Sequence, residues 1–403
     1  MRITPPKHIK MNALNPQNQT PMVQGRPSGR SVEIVKVEDR RSRNAFIRLP
    51  RSLYKDDPVW VPPLLFEQRM HLSPSNPYFE HAVCCLWMAY REGRPVGRIS
   101  AQIDRLHLEH YQDDTGFWGM LEAEDNMETF RALLGTAENW LRNQGMKRAR
   151  GPFNLSINQE CGMLVAGFDT PPSVMMGHAR PYYDRCIEQC GYLKEKDLLA
   201  YITDVPSESS TTMRTIINRT KGRIQTRTLR KKQFQEDLNT IHNLFNDAWS
   251  NNWGFVPFTR EEFELFGKYL KLLVNENFIR IADVDGVPAA FMVALPNLNE
   301  AIRECKGRIW PFGWLKLLWR IKVTHLETAR VPLMGVRRRY HNSLLGAGLA
   351  YRLISELRET AANYGIKNVE LSWILEDNTG MREILEDIGC RAYKTYRIYS
   401  KHL

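Results

Sequence analysis

The stretch from Pro332 to Tyr399 constrains the fold of this chain more than any other. It opens with an apolar strand, PLMGV (Pro332–Val336), passes through RRRYHN into the glycine-bearing segment SLLGAGLA, and continues as the helical sequence YRLISELRETAANYG. A second apolar strand, VELSWIL (Val369–Leu375), follows, then EDNTGMREILEDIGC and a closing strand, AYKTYRIY. In the second helix Met381, Ile384, Leu385 and Ile388 recur at helical spacing, and Gly389 ends it. Strand, helix, strand, short helix, strand is an αβ layer unit.

Gly346 and Gly348 stand where the loop opens into the first of these helices. A helix start offers unpaired N–H groups and the positive end of the dipole, and glycine lets a phosphate approach the backbone closely. Arg337, Arg338 and Arg339 lie just upstream, where guanidinium groups suit phosphates. The sequence therefore leaves two readings of this loop: a site for a phosphate-bearing ligand, or glycines that serve only packing.

The same plan is legible twice. In the first half, the strand Val32–Val37 precedes an arginine-rich helix and the proline-stiffened loop DDPVWVPPLLFEQ. A hairpin, Leu86–Arg91 and Pro95–Asp104, turns at Glu92-Gly93-Arg94. A helix over Glu128–Gln144, a strand ending at Gly151–Asn154, a short helix over Pro181–Tyr192 and the strand DLLAYITDV follow. The second half repeats this with a strand at Ile224–Arg230, a helix at Phe234–Trp249 and a hairpin turning at Asp285-Gly286. The expected fold is α/β, a layered α+β arrangement of two tandem domains, each a mixed twisted sheet flanked by helices. Residues 1–31 read as a disordered basic tail, 32–207 as the N-terminal domain and 208–403 as the C-terminal domain. The tail carries no Asp or Glu and no apolar core of a signal peptide, and Met11 and Met22 are alternative starts. The first half lacks a G-x-G helix start, and GFWGMLEAED places acids where phosphates would go. Only the second half is expected to bind the phosphate-bearing ligand.

With 43% hydrophobic and 25% charged residues, the composition is globular, and no apolar run reaches the length of a membrane span. Seven cysteines include no C-x-x-C, and Cys186 and Cys190 lack the partners of a metal site, so free thiols in a reducing cytosol and no metal are expected. A net charge of +11 favours anionic partners. The densest basic run, Arg214–Lys232, reads as a solvated linker and edge strand, a membrane-surface patch or a nucleic-acid patch. Gly222 and β-branched residues break it, and no helix-turn-helix is present, which argues against nucleic acid as a partner. In Lys306–Lys322, Trp314, Leu317, Leu318 and Ile321 form an apolar helical face edged by cations. That composition suits a membrane interface or a helix packed over a cleft. The expected location is cytoplasmic, peripheral on the inner membrane.

The element order of Pro332–Tyr399 resembles the acyl-CoA-binding half of GNAT-type N-acyltransferases. Five longer strings sharpen the likeness: Gly151–Pro172, Phe245–Thr259, Ala294–Ile302, Leu371–Asn378 and Tyr393–Tyr399. They resemble a family of tandem GNAT-like acyl-CoA N-acyltransferases that includes YghO and the bacterial ceramide synthases, over roughly Val32 to Leu403. The resemblance implies an acyl-CoA donor whose pantetheine arm pairs with the strand edge at Met334, Gly335 and Val336, opposite Ser372 and Trp373. It also implies a pyrophosphate on the loop Ser343-Leu344-Leu345-Gly346-Ala347-Gly348, phosphate contacts from Arg338 and Arg339, and a pantetheine contact from Asn378. Ser343 stands where the family carries Arg or Gln, and Leu385 where many members carry a tyrosine that protonates the leaving thiolate. Tyr393 and Tyr396 are the substitutes.

Acyl transfer requires an oriented amine, a proton acceptor and a polarised carbonyl. The backbone N–H near Val336 would polarise the carbonyl. Glu300, Glu376, Asp377 and His341 are candidate bases, and Asn297, Asn299 and Glu300 are the preferred polar cluster for the acceptor. Asn251, Asn252 and Trp253 are candidates for the same cleft. The leading expectation is acyl-CoA-dependent N-acylation of a lipid amine, a sphingoid base giving ceramide. The alternatives are another amine, such as an amino acid or peptide, a basic nucleic-acid-binding regulator, or a degenerate acyltransferase fold that only binds.

Overall fold

Thirteen strands join into one mixed sheet in the computed structural model, which describes residues 31–205, 209–304, 320 and 326–403. In chain order the strands are β1 (Glu33–Lys36), β2 (Ala82–Arg91), β3 (Arg94–Asp104), β4 (Thr115–Ala123), β5 (Arg148–Gly151), β6 (Met163–Ala166) and β7 (Leu193–Asp204). The second half adds β8 (Ile224–Thr228), β9 (Ile279–Val284), β10 (Val287–Pro296), β11 (Thr328–Val336), β12 (Asn368–Leu375) and β13 (Arg391–His402).

The duplication expected from the sequence is present rung for rung. β2 and β3 form a hairpin whose turn residues Glu92 and Gly93 both have positive φ, as do Asp285 and Gly286 between β9 and β10. Two positive φ angles make a turn whose twist matches that of the strands it joins. In each half a parallel pair follows the hairpin: β4 with β5, connected through the helix Met127–Asn143, and β11 with β12, connected through the helix Leu344–Asn363. The expected sheets are continuous because the halves exchange their last strands. The order is β1-β2-β3-β4-β5-β13-β7-β12-β11-β10-β9-β8, so the final strand of the chain lies beside β5 and the last strand of the first half lies beside β12.

Both faces of this sheet are covered. Along β10, Phe291, Val293 and Leu295 pack with the helix Phe234–Trp249, while Ala290, Met292 and Ala294 pack with the helix Leu344–Asn363. This is the period-two alternation of a strand buried on both sides. In the first half, Phe130, Leu133, Leu134, Ala137 and Leu141 of the helix Met127–Asn143 fill the core.

Three segments differ from the sequence expectation. Arg214–Lys232 contains the expected edge strand, β8, but in place of a linker before it the helix Thr211–Thr220 packs on the helix Leu344–Asn363. The end of the proline-stiffened loop coils into the helix Leu65–His71. The helix Arg260–Leu273 has no counterpart in the sequence reading, although Thr259 and Glu262 form a capping box at its start. Apart from Arg320, Lys306–Lys322 lies outside the described residues. Among those described, no helix is long and apolar enough to cross a membrane.

Candidate active site

The parallel ladder between β11 and β12 runs from Thr328↔Asn368 to Val331↔Leu371 and then stops. Beyond this rung β11 stays with β10, and β12 turns to β7, where Ile374 pairs with Leu199 and Leu375 with Leu198. The two strands therefore splay, leaving one edge of Pro332–Val336 open. Antiparallel pairing turns alternate residues toward and away from the neighbouring strand. Arg337 N–H donates to Ala289 O of the β10 side (2.8 Å), so the backbone groups of Met334 and Val336 face the gap. Two side-chain contacts agree: Trp249 Nε1 donates to Met334 O (3.3 Å), and the His341 ring donates to Val336 O (2.7 Å).

The helix Leu344–Asn363 starts at this open end. Ser343 caps it by accepting from Gly346 N (3.1 Å), and its first turn contains no acid. Among the described residues the N–H groups of Leu344 and Leu345 have no hydrogen-bond partner, as at any helix start. A Cβ on Gly346 would lie 2.1 Å from Tyr340 O, and one on Gly348 would lie 2.7 Å from Thr220 Oγ1. The first glycine lets the preceding loop close on the helix; the second lets two helices cross. Arg338 Nη1 donates to Asn251 Oδ1 (3.2 Å), its N–H donates to Asp247 (3.0 Å), and Arg339 stacks on Tyr340. The loop after the helix Phe234–Trp249 thus walls one side of the mouth. Its Trp253 reaches the first half, beneath Arg150 and Lys196.

Below the gap lies a buried polar floor that sequence reasoning missed. Arg330 and Glu370 are partners on the rung next to the last and approach to 3.6 Å, each only 2% exposed. Arg330 donates to Ser372 Oγ (2.8 Å), Ser372 O (3.2 Å), Val174 O (2.9 Å) and Met175 O (3.3 Å). Glu370 accepts from Ser372 (2.5 Å), Ser173 (2.7 Å) and the Tyr393 hydroxyl. Burial and the Glu370 carboxylate raise the Tyr393 phenol far above its usual value. Met175 adopts φ +60, a region that resists side chains, with its carbonyl held by Arg330. A lone Arg in TARVPLMGV and a lone Glu in NVELSWIL, each in an otherwise apolar strand, were the available signal.

The first half closes the equivalent gap. β4 and β5 separate after Phe117↔Arg150, but Phe153 N–H bonds Trp118 O (2.8 Å) and Asn154 Oδ1 accepts from Met120 N (2.7 Å). Ala123 N–H donates to the Tyr183 hydroxyl (3.0 Å), and Tyr182 donates to Ala123 O (2.7 Å). A Cβ on Gly119 would lie 1.7 Å from Phe153 O, so the chain itself fills the space. Glu122 ends there in a buried site, where Tyr54 and Tyr183 donate to it at 2.8 Å each. Burial outweighs Arg98 and these two donors, lifting the carboxyl to about 7.

The expected acceptor cluster is a fastener. Asn297 Oδ1 accepts from Val174 N (2.9 Å), and its Nδ2 donates to Thr328 Oγ1 (2.9 Å). Asn299 Nδ2 donates to Pro172 O (2.9 Å). Glu300 accepts from Glu327 N (2.9 Å), Thr328 N (2.8 Å) and the Thr328 hydroxyl, so both of its oxygens are engaged at the start of β11. Asn297 and Asn299 hold the first-half loop Pro172–Met175 over the floor of the gap, and Glu300 fixes the start of β11. Asn378 caps the helix Thr379–Asp387 by accepting from Met381 N (3.2 Å). Glu376 and Asp377 pair with Lys194 and Lys196 of β7 (2.7 and 2.9 Å). Leu385 is fully buried in the second-half core. Tyr396 is also fully buried, and its hydroxyl has no hydrogen-bond partner among the described residues. Burial and the charge of Glu370 keep that phenol protonated.

Duplicated about one sheet and opened in a single copy, this is a tandem GNAT fold, and the protein is an N-acyltransferase of that class. A solved tandem GNAT protein from the clavulanic acid biosynthesis pathway is similar over 92% of this chain and 98% of its own, with a TM-score of 0.51 at 12% identity. The glucosamine N-acetyltransferase region of a fungal multi-domain β-N-acetylglucosaminidase is similar over 93% of this chain and 38% of its own, with a TM-score of 0.56 at 12% identity. Protein YghO of Escherichia coli is 47% identical over 91% of this chain and 94% of its own length. The bacterial ceramide synthase of Caulobacter vibrioides is 41% identical over 92% of this chain and 98% of its own. No family model matches the chain. The chain belongs to the family of tandem GNAT-fold N-acyltransferases that contains both of these relatives.

Proposed function

We propose that this enzyme transfers a long acyl chain from CoA to the amino group of a lipid, with a sphingoid base as acceptor and a ceramide as product. The carrying observation is the gap between β11 and β12, open in the second half and filled by protein in the first. The name of the Caulobacter relative supports the acceptor class. In this reading, residues 208–403 hold the donor and residues 32–207 shape the acceptor side, at an anionic membrane surface reached from the cytoplasm.

The pantetheine amide extends the β11 edge at Met334 and Val336, as an added strand would. The thioester carbonyl lies by the Val336 N–H, which stabilises its developing negative charge. The pyrophosphate meets the free N–H groups of Leu344 and Leu345 ahead of Gly346 and Gly348, with Ser343 holding the cap and Arg338 and Arg339 beside it. Asn378 sits across the gap, at the end of β12. The uncharged amine attacks the thioester carbon, the C–N bond forms, the C–S bond breaks, the amine loses a proton and the sulfur gains one. Asn297 and Asn299 act by positioning the loop Pro172–Met175 on the acceptor side, and Glu300 by fixing the start of β11. Tyr396, with an uncommitted proton on its hydroxyl, gives that proton to the departing sulfur and takes up the one the amine loses, so the phenol ends protonated as it began.

The test combines calorimetry with a long-chain acyl-CoA and mass spectrometry of products from a mixture of sphingoid bases, amino acids and peptides. Arg338→Glu with Arg339→Glu should weaken acyl-CoA about tenfold or more, and by less for the donor lacking the 3′-phosphate. Acylated amino acid or peptide with no acylated sphingoid base overturns the acceptor assignment. Unchanged CoA affinity in the double variant overturns the phosphate site.

A further inference from the structure

A charge taken out of water is ordinarily paired, and in a chain with a net charge of +11 a carboxylate has cations to choose from. Glu160 has none. It is half-buried, and among the described residues no Lys, Arg or His forms an ion pair with it. Asn154 Nδ2 donates to its Oε1 (2.6 Å), and its Oε2 has no hydrogen-bond partner among the described residues. The acids on either side of it are matched: Glu370 faces Arg330 (3.6 Å), and Glu122 faces Arg98 (3.9 Å) and accepts from two tyrosines.

Hydrogen bonds place this carboxylate on the border between the closed gap of the first half and the open gap of the second. Asn154, which fills the closed gap by accepting from Met120 N, donates its own N–H to Glu160 O (2.8 Å). The segment Val174–His178 runs from one gap to the other. Val174 O and Met175 O accept from Arg330, Met176 Sδ accepts from Ser372 Oγ (3.6 Å), and His178 O lies 3.4 Å from the Tyr54 hydroxyl that serves Glu122. Within that segment is Gly177, where a Cβ would lie 3.2 Å from Glu160 Oε1. Gly162, two residues after Glu160, has φ +84, and a Cβ there would lie 2.9 Å from Tyr396 Cβ. The two glycines thus leave the carboxylate uncovered and bring its segment against the tyrosine whose buried hydroxyl lacks a partner. Burial raises the Glu160 carboxyl, against Arg98, the Asn154 amide and Arg330, which lower it. Burial, and then the Glu160 charge, raise Glu67, and Glu160 acts in the same direction on Glu122, where burial also leads. His71, whose ring lies 3.1 Å from Asn154 O, is pushed down to about 4 by burial and is neutral.

We propose that Glu160, a residue of the first half, receives the ammonium group of the acceptor and takes its proton before attack. The assignment rests on the reading of the gap as an amine-acylating site and adds the group that neutralises the amine. A primary amine is mostly an ammonium ion near neutral pH and cannot attack a thioester in that form. Ammonium is the cation that Glu160 lacks, and it offers three donors on one nitrogen. An N–H bond of the ammonium breaks, an O–H bond forms at Oε2, and a neutral carboxyl is left beside an amine with a free lone pair. Being half-buried, Glu160 then returns the proton to water. The second proton, shed as the C–N bond forms, goes to Tyr396. Glu160 thus acts before the attack and Tyr396 during it.

The experiment follows release of free CoA thiol from palmitoyl-CoA by the full chain, against pH, with a panel of sphingoid bases, amino acids and peptides. Glu160→Gln keeps an acceptor for Asn154 and removes the charge. It should lower kcat/KM for the amine about a hundredfold near neutral pH and regain most of that at alkaline pH, where the amine is already neutral. Its calorimetric affinity for palmitoyl-CoA should equal that of the wild type. Gly177→Ala crowds the carboxylate without removing it and should raise KM for the amine with the same CoA affinity. Wild-type rates in Glu160→Gln near neutral pH, or a loss of equal size at every pH, overturn the proposal. Should Glu160→Gln fail to fold, Gly177→Ala decides, and an unchanged KM for the amine overturns the proposal. The profile is read with whichever amine the wild type acylates, so a wrong acceptor class sinks the lipid reading alone. No acylation of any amine by the wild type sinks both.

Discussion

Arg330→Met should be among the most damaging single substitutions in the chain. The guanidinium is 2% exposed, makes four hydrogen bonds at 2.8 to 3.3 Å and faces Glu370 at 3.6 Å. Methionine matches the aliphatic stem, so the packing loss is small. What remains is a buried carboxylate without its cation, and breaking one side of a buried pair costs about 3–5 kcal/mol. Adding Glu370→Gln removes the stranded charge, and the amide can still meet Ser173, Ser372 and Tyr393. The double variant should regain about 2 kcal/mol or more of that loss. Urea unfolding of the wild type, both single variants and the double variant closes the cycle. A loss below about 1 kcal/mol for Arg330→Met, or strictly additive single losses, refutes the account of the floor as a coupled ion pair.

Asn297→Ala strands the Val174 N–H and takes a donor from the Thr328 hydroxyl, which keeps Glu300 as its acceptor, and should cost about 1–3 kcal/mol. It should also raise KM for the amine while leaving the calorimetric affinity for acyl-CoA unchanged. His81 links the halves through Asp104 (2.9 Å) and Glu262 (3.5 Å); burial opposes its charge, but the two carboxylates prevail and lift the ring to about 9. A raised folded pKa gives stability that is full below the unfolded value of about 6.5 and is lost as pH rises toward about 9, worth about 3 kcal/mol here. Urea midpoints should fall across that window in the wild type and stay flat in His81→Asn. Gly119→Ala drives a Cβ into Phe153 O and should lower the thermal midpoint strongly, whereas Gly135→Ala, in open space within a helix, should stabilise by about 0.5–1 kcal/mol.

Local signals carried the reading far. Asp285-Gly286 specified a hairpin turn, and the apolar spacing of Phe234–Trp249 specified a helix with those ends. Pro332–Val336 and Val369–Leu375 are each recognisable as strands alone, whereas their splaying was implied only by the family resemblance. What stayed hidden is tertiary. Glu300 carries the chemistry of a base, yet its oxygens serve β11, and nothing adjacent in sequence reveals partners 27 and 28 residues away. Asn297 and Asn299 bind a loop of the other half, more than 120 residues earlier. Arg330 and Glu370 are each unremarked until register sets them on one rung.

The exchange of β7 and β13 bears on how the chain is made. β5 finds its outer neighbour only in Arg391–His402, roughly 240 residues further along the chain. Until then Tyr396, Ile398 and Tyr399 are missing from the first-half core, and β5 and β7 wait with open edges. A domain that would otherwise fold as it emerges must stay unfinished until the second half has been made. Loss of β13 therefore strikes the half made first, and should yield an aggregating first half rather than a shortened enzyme.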